Sequence, residues 1–261
     1  MEEAHARGEG GRALVRDCRV VAARHYGEYT LLTFVAADIA ARAHPGQFVM
    51  VAVPAPGFHL RRPISVFRVE ADRVSLLLER RGGGTTLISA AEVGDALTLT
   101  GPIGTEFPLR NVPAAVLAGG GIGAAPLQFL ADDLKAHGVE LTAALGFRDA
   151  RRARLANAFD IEPLWLATED GSQGTRGTVC DLLDRVPLAA AAVLFACGPL
   201  AMLAAVQQWA RRHELVGFAS LEAHMACGSG VCHSCVLPTT KGYARVCAEG
   251  PVLPLEELVF P

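Results

Sequence analysis

Four cysteines near the C-terminal end have a spacing that suits an iron–sulfur cluster. They are Cys227, Cys232, Cys235 and Cys247, in the pattern C-x4-C-x2-C-x11-C. The first three match the plant-type spacing of [2Fe–2S] proteins, in which the fourth ligand comes later in the chain. Gly228, Ser229 and Gly230 fill the first gap, and such small residues allow backbone N–H groups to turn toward sulfur atoms. We therefore predict a [2Fe–2S] cluster on these four thiolates.

A structural zinc site is the alternative for the same cysteines, because zinc also binds four thiolates. Zinc sites favour paired C-x2-C segments, whereas the first gap here has four residues. His233 lies inside the loop, but four thiolates already complete the set, so we predict an exposed histidine. Seven cysteines, an odd number, are not typical of a disulfide framework. They favour a cytoplasmic, reducing setting.

A glycine-rich segment is the second chemical signal. Residues 119–126 read GGGIGAAP, after an apolar run and before a segment with helical spacing. In that context backbone without Cβ atoms can approach a pyrophosphate, and the N-terminus of a helix favours an anion. Pro126 replaces the last glycine of G-x-G-x-x-G, so a tight strand–helix turn without a ligand remains the alternative.

The segment Arg62-Pro63-Ile64-Ser65 is a third and weaker signal. A guanidinium fork suits a phosphate, and a serine hydroxyl can bond a ring nitrogen. A solvated pair of arginines, Arg61 and Arg62, at the edge of a strand explains the same residues equally well.

The first part of the chain has the pattern of a small antiparallel barrel. Six short runs rich in Val, Leu, Phe and Thr are separated by Gly and Pro, which predicts six strands. The runs are Leu14–Ala22, Tyr29–Val35, Gln47–Val53, Ile64–Val69, Arg73–Leu78 and Ala96–Thr100. One short helix is predicted within this part, over Thr85–Ala91.

From Val112 the pattern becomes that of a doubly wound parallel sheet, because short apolar runs alternate with helical segments. The predicted strands are Ala114–Ala118, Glu140–Phe147, Leu164–Thr168 and Val193–Cys197. The predicted helices are Pro126–His137, Thr178–Arg185 and Leu200–Arg212. We thus predict a multidomain β plus α/β chain: a flexible tail (1–12), a barrel domain (13–110), an α/β domain (111–215) and a small cysteine-containing segment (216–261).

Composition excludes some classes of function. The 261 residues include 24 Lys+Arg and 27 Asp+Glu, a formal net charge of −3, which gives no general attraction to nucleic acid or anionic membranes. Residues 186–210 carry no charge and are long enough to span a bilayer. Pro187 and Gly198-Pro199 interrupt them, so we predict a strand, a loop and a helix. The charged N-terminus does not resemble a signal peptide.

In combination, these motifs resemble the ferredoxin reductase-like flavoprotein superfamily. The C-terminal cysteines narrow the resemblance to the electron transfer subunits of dihydroorotate dehydrogenase B, over about residues 13–255. The segments that carry it are Pro45–Phe48, Arg62–Ser65, Gly84-Thr85, Gly119–Pro126, Cys197–Pro199 and Glu222–Cys247.

The resemblance implies where FAD and NAD bind. Arg62 would meet the FAD diphosphate and Ser65 the isoalloxazine, with Pro63 and Ile64 between them. The other implied FAD contacts are Leu78, Glu79, Arg80, Gly84 and Thr85, and Glu79 replaces the aromatic residue usual in the family. The NAD pyrophosphate would lie on Gly120, Gly121 and Gly123. The nicotinamide would lie near Cys197, Gly198 and Pro199.

The resemblance also implies the reaction. Electrons from the FMN of a catalytic dihydroorotate dehydrogenase subunit would pass through the cluster and FAD to NAD+, in pyrimidine biosynthesis. Two copies of each subunit would form the complex. Because the chain's contribution is positioning and electronic tuning, no catalytic acid, base or nucleophile is expected, and Cys197 in particular is not expected to react covalently.

Three alternatives stay open at this point. A related flavin and iron–sulfur subunit could serve another partner, of the ferredoxin:NADP oxidoreductase or sulfhydrogenase type. A zinc-stabilised nucleotide-binding module would have no redox role. The choice between NAD and NADP is also undecided, because Asp149 follows the run Glu140–Phe147 together with arginines at 148, 151 and 152.

Overall fold

The first part of the chain closes into an antiparallel barrel. The computed structural model describes residues 13–189 and 191–260, so the tail predicted over residues 1–12 lies outside the described residues. The barrel strands are β1 (Leu14–Tyr26), β2 (Tyr29–Val35), β3 (Phe48–Val51), β4 (Arg62–Glu70), β5 (Arg73–Glu79) and β6 (Ala96–Ile103). They pair in the closed order β1-β2-β5-β4-β3-β6. The predicted six-stranded barrel is confirmed.

Alternating side chains explain why these strands close. Along β6, Leu97 and Leu99 are buried while Thr98 and Thr100 are partly exposed, the period of two expected for a strand with one face on a core. Two short helices, α1 (Ala37–Ala40) and α2 (Gly83–Ser89), connect barrel strands. The hydroxyl oxygen of Thr85 accepts hydrogen bonds from the N–H groups of Arg81 and Gly82 and so stabilises the start of α2.

The second part of the chain forms one seven-stranded sheet and a separate hairpin. Its strands are β7 (Ala114–Gly120), β8 (Glu140–Phe147), β9 (Leu164–Thr168), β10 (Thr175–Arg176), β11 (Val193–Cys197), β12 (Gly217–Ser220), β13 (Val236–Thr239), β14 (Gly242–Arg245) and β15 (Val252–Pro254). The sheet order is β10-β9-β8-β7-β11-β12-β15, with only β15 antiparallel to its neighbour. Strands β13 and β14 pair as the hairpin. Two sheet strands, β12 and β15, therefore come from residues beyond 215.

Helices cover both faces of this sheet. They are α3 (Pro126–Ala136), α4 (Ala150–Ala153), α5 (Val179–Leu183) and α6 (Leu200–Arg212). Ala115 and Leu117 of β7 belong to the hydrophobic cluster of α3, whereas Val116 and Ala118 belong to that of α5 and α6. The predicted doubly wound sheet is confirmed. Within the described ranges, no helix is long and apolar enough to cross a membrane.

A polar contact joins the barrel to the sheet domain. Arg68 on β4 donates to both carboxylate oxygens of Asp132 on α3, at 2.7 and 3.0 Å. Buried Gln128 donates to the same carboxylate at 2.8 Å and accepts from the N–H of Asp160 at 2.7 Å. A two-pronged ion pair held by a third residue fixes direction as well as distance. This contact therefore helps to set the angle between the two domains.

We expect Arg68→Ala to lower the free energy of unfolding by about 1–2 kcal/mol, because it removes two charge-assisted hydrogen bonds from a partly solvent-screened site. Urea unfolding of the full chain measures this loss. The matched control is Arg16→Ala, since Arg16 meets Asp38 at 2.7 Å where both side chains are about half exposed. An equal loss in both variants would contradict a special role for the Arg68 contact.

Candidate cofactor sites

The two glycine-containing loops meet at the edge of the sheet where the strand order reverses. Strands β7 and β11 are neighbours, and their carboxyl ends lead into Gly121–Ala124 and Gly198-Pro199. This is the position at which doubly wound sheets bind nucleotides. A Cβ atom on Gly123 would lie 2.6 Å from the Gly198 Cα and 2.9 Å from its backbone nitrogen. Only glycine at 123 allows the two loops to pack this closely.

A cavity of about 640 Å3 opens beside these loops. Gly120, Gly121 and Pro199 line it on the sheet side, together with Arg148 and Met202. The barrel contributes Tyr29, Glu79 and Arg81. The cavity therefore lies between the two domains and joins the predicted nucleotide loops to one predicted flavin residue, Glu79.

Cys197 is a buried thiol below this cavity. It is 1% exposed and pairs in register with Gly119 on β7 and Ser220 on β12. Burial raises its pKa well above the usual value, and the Glu222 carboxylate raises it further. A thiol held in its protonated form is a poor nucleophile. Burial therefore favours the expected packing role of Cys197 over covalent chemistry.

Arg62 and Gly84 form a cradle at the start of α2. A Cβ atom on Gly84 would lie 2.6 Å from Nε of Arg62, so the guanidinium rests directly on the glycine backbone. Arg62 also donates to the Leu60 carbonyl at 2.6 Å, and its guanidinium carbon lies 5.9 Å from the centre of the Phe58 ring. A guanidinium over the first turn of a helix suits a phosphate group. These residues fit the diphosphate of FAD.

The other predicted flavin residues are distributed along the neighbouring strands. Pro63 and Ser65 of β4 pair with Met50 and Phe48 of β3, and Ile64 lies between them with 8% exposure. The side chain of Leu78 packs in the barrel core, and Leu78 pairs with Thr30 of β2.

The side chains of Glu79 and Arg80 have different surroundings. Arg80 donates to the Gly27 carbonyl at 2.7 Å, whereas Glu79 accepts from Arg81 Nε at 2.5 Å and lines the cavity. The structure therefore places Glu79 and Arg81, rather than Arg80, beside the nucleotide loops.

The four cysteines lie in two pairs. Sγ of Cys235 and Sγ of Cys247 are 3.3 Å apart and buried. Cys227 and Cys232 are exposed, and the Cys232 N–H lies 3.5 Å from Sγ of Cys227. Across the described part of the chain, no three cysteine, histidine or acidic side chains are grouped as ligands of one metal ion.

Backbone donors point toward these sulfur atoms. The N–H groups of Ser229 and Gly230 donate to Sγ of Cys227 and Cys247, at 3.4 and 3.1 Å, and the Cys247 N–H donates to Sγ of Cys235 at 3.4 Å. Such donors stabilise negative charge on thiolates and bridging sulfides. The residues present therefore fit an iron–sulfur cluster.

The two pairs differ in electrostatics. Hydrogen bonds from Ser229 and from Cys232 lower the pKa of Cys227 to about 5, and those from Ser234 lower the pKa of Cys232. Burial, with the Cys235 thiol close by, raises the pKa of Cys247 to about 12. Local hydrogen bonds thus favour the thiolate form of Cys227 and Cys232, whereas burial opposes it at Cys247, where metal binding would displace the proton.

Several residues of the sites were not predicted from the sequence. Tyr29, Arg81 and Met202 line the cavity. Arg148, named above for the choice between NAD and NADP, lines it as well. Glu222 is an exposed residue, but protein atoms surround most of its carboxylate. This desolvation raises the pKa of Glu222, and the nearby Glu79 carboxylate raises it further. Glu222 stands five residues before Cys227, and Arg81 stands beside the predicted Arg80. Proximity to predicted residues was therefore the available signal for these two.

A closed six-stranded barrel followed by a doubly wound sheet with a nucleotide cleft defines the ferredoxin reductase-like class. Two solved structures have a similar fold. The NADH-dependent reduced ferredoxin-NADP oxidoreductase, studied for flavin-based electron bifurcation, superposes with a TM-score of 0.81 and 25% identity over 96% of this chain and 91% of that chain. The ferredoxin reductase in carbazole 1,9a-dioxygenase superposes with a TM-score of 0.61 and 22% identity over 77% of this chain and 65% of that chain.

Sequence comparison identifies the particular family. Residues 222–259 match the iron-sulfur cluster binding domain of dihydroorotate dehydrogenase B. The dihydroorotate dehydrogenase B (NAD(+)) electron transfer subunit of Bacillus cereus (strain B4264) is 38% identical over 229 residues, covering 83% of this chain and 87% of the relative. This chain belongs to the family of dihydroorotate dehydrogenase B electron transfer subunits, which confirms the resemblance stated from the motifs.

Proposed function

We propose that this chain passes electrons from an FMN-containing dihydroorotate dehydrogenase subunit, through a [2Fe–2S] cluster and FAD, to NAD+. One structural observation carries the proposal. A Cβ atom on Gly228, in the cysteine loop, would lie 2.8 Å from Cγ of Met50, and Met50 pairs with Pro63 of the predicted flavin segment. The cysteine loop therefore lies against the strand next to the predicted flavin site, as short-range electron transfer requires.

The residues of the chain would act mainly by positioning. When bound, a flavin exchanges hydride for single electrons, and an iron–sulfur cluster transfers one electron at a time. Arg62 and the N–H groups near Gly84 would hold the flavin diphosphate, while Glu79 and Arg81 line the cavity in which the flavin and the nicotinamide would meet. Met202 and Pro199 would place the nicotinamide. Two single electrons leave the flavin as hydride only together with one proton, which water in the open cavity would supply, so we expect no side chain to act as acid or base.

The [2Fe–2S] type is supported by the arrangement of the thiols. They fall into two pairs, Cys227 with Cys232 and Cys235 with Cys247, and two irons with two thiolates each would use all four. We propose that each pair holds one iron. The domain limits predicted from the sequence, the cytoplasmic setting and the assembly of two copies of each subunit stay part of this proposal.

NAD is the proposed nucleotide because two of the nearby arginines already form ion pairs with carboxylates of the protein. Arg151 meets Glu28 at 3.0 Å, and Arg152 meets Asp149 at 2.8 Å. Glu169 lines the same cavity as Arg148. Carboxylates at this edge favour a ribose hydroxyl and oppose a 2′-phosphate. The names of the relatives, which specify NAD(+), agree with this choice.

One observation favours the alternative that this chain serves a partner of the ferredoxin:NADP oxidoreductase type. The reduced ferredoxin-NADP oxidoreductase chain covers 96% of this chain with a TM-score of 0.81. Its identity is 25%, however, against 38% for the B. cereus electron transfer subunit. Copurification separates the two: an FMN-containing partner that oxidises dihydroorotate supports the proposal, and a large iron–sulfur flavoprotein partner overturns it.

An anaerobic titration with NADH tests the cofactor chain. FAD, iron, acid-labile sulfide, absorbance and electron paramagnetic resonance are measured on one sample of the full chain. We expect one FAD and one cluster of two irons and two sulfides, with the FAD and the cluster both reduced by NADH and less readily by NADPH. A colourless protein that carries zinc would refute the proposed function and leave only the fold.

We expect Gly123→Ala to raise the Kd for NADH about tenfold or more, because the new methyl group must displace the backbone of Gly198. Overpacking of this kind costs about 1–3 kcal/mol, and about 1.4 kcal/mol corresponds to a tenfold change in Kd. Isothermal titration measures the change. Gly138→Ala is the control: a Cβ there meets nothing within 4 Å, and although its φ of +72° strains any side chain, that strain lies before β8, at the opposite edge of the sheet from the nucleotide loops. Equal NADH affinity in both variants would count against the proposed NAD site.

A further inference from the structure

An ion pair lies beside the cysteines and has no part in the sites described above. Arg245 ends β14, two residues before Cys247. Its Nε lies 3.1 and 3.0 Å from the two carboxylate oxygens of Glu249, and Nη2 donates to the same group. The backbone N–H of Arg245 also donates to Glu249, at 2.8 Å. Two residues held by this many contacts form a rigid unit.

The other edge of the same guanidinium contacts the cysteine loop. Nη1 of Arg245 donates to the Gly230 carbonyl at 2.6 Å, and the Gly230 N–H donates to Sγ of Cys247 at 3.1 Å. Gly230 alone therefore separates the guanidinium charge of Arg245 from the sulfur atom of Cys247 along this path.

We propose that Arg245 and Glu249 together set the reduction potential of the cluster. Arg245 is a positioning residue that fixes Gly230 and places a positive charge where reduction adds a negative one. Glu249 holds the guanidinium and offsets part of its field. Reduction adds one electron, supplied by the partner's flavin or by NADH through FAD, and no bond to the protein forms or breaks. This inference rests on the proposed function, because it needs a cluster on the four cysteines.

Removal of the Arg245 charge and removal of the Glu249 charge should shift the reduction potential of the cluster in opposite directions. Coulomb energy falls only inversely with distance, so a full charge one residue from a thiolate acts on the cluster even though the Arg245 side chain is 33% exposed. Arg245→Gln removes the positive charge but keeps an amide donor. We expect it to shift the one-electron equilibrium about tenfold toward the oxidised state, a fall of about 59 mV in potential. Glu249→Gln should shift the same equilibrium toward the reduced state.

The measurement is a mediated anaerobic redox titration of the full chain carrying its cofactors. The electron paramagnetic resonance signal of the reduced cluster reports its potential, and flavin absorbance on the same samples is the internal reference. Lys241→Gln is the matched control, because Lys241 meets Glu257 at 2.5 Å near the turn of the same hairpin, at the opposite end from Arg245. That variant should leave the potential unchanged.

Opposite shifts in the two variants would support the inference. No shift, or shifts in the same direction, would overturn it. If Arg245→Gln loses iron, Glu249→Gln decides alone: a raised potential supports the inference and an unchanged one overturns it. A wild-type chain without iron and sulfide would instead refute the proposed function, so the two failures are distinguishable.

Discussion

Cys232→Ser is expected to remove most of the iron and acid-labile sulfide while FAD stays bound. Cys232 is an exposed thiol, and hydrogen bonds from Ser234 lower its pKa, so a thiolate ligand is lost with little change in packing. A hydroxyl is a poor substitute, because iron in such clusters is held by thiolates. Metal analysis, sulfide assay and flavin absorbance on one sample measure the result.

Cys180→Ser is the control for this experiment. Cys180 is a half-buried cysteine on α5, outside the C-terminal cysteine segment, and burial raises its pKa. Its replacement should leave two irons per chain. Retained iron in Cys232→Ser would show that this cysteine is not a ligand. Equal iron loss in both variants would point to general instability, which thermal unfolding of the two proteins would reveal.

Arg62→Ala is expected to weaken FAD binding about 10- to 100-fold. The guanidinium lies on the Gly84 backbone at the start of α2, where a diphosphate would meet both the side chain and the helix N–H groups. Loss of charge-assisted hydrogen bonds costs about 1.5–3 kcal/mol, which corresponds to that range. Fluorescence of flavin released on dilution measures the affinity, and combination with Ser65→Ala should weaken it further.

Arg61→Ala supplies the comparison. Arg61 is the adjacent arginine, but its guanidinium donates to Oγ1 of Thr100 at 2.5 Å, away from Gly84. FAD occupancy should therefore be retained in this variant. Full FAD occupancy in Arg62→Ala as well would refute the flavin placement and favour the alternative of a solvated arginine pair at a strand edge.

Local features of the chain were readable from the sequence. The six barrel strands and the helix Leu200–Arg212 follow from residue periodicity over a few neighbours, and the structure has them. The cysteine spacing and the glycine-rich loop are also local signals, because their ligands or turns involve residues close in the chain. The family resemblance depended on the order of these signals.

Contacts between distant residues were decided only by the tertiary structure. The cysteine loop packs on Met50 of the barrel, Arg68 meets Asp132 of α3, and Gly230 meets Arg245. The first two join segments whose approach depends on how whole domains dock, and the third joins residues 15 positions apart within the cysteine segment. Glu79 and Arg80 show the same limit at one strand end, since the cavity lies on one side and the Gly27 carbonyl on the other.

The sequence by itself determined which residues of this protein are candidates to bind iron–sulfur, phosphate and flavin groups, because those chemistries require particular side chains at short spacings. The tertiary structure decided which of them meet. It joined β12 and β15 to the seven-stranded sheet and thereby placed the cysteine loop beside the barrel. The physical reason is that packing of apolar faces is non-directional, so the partner of each face is selected only when the domains close together.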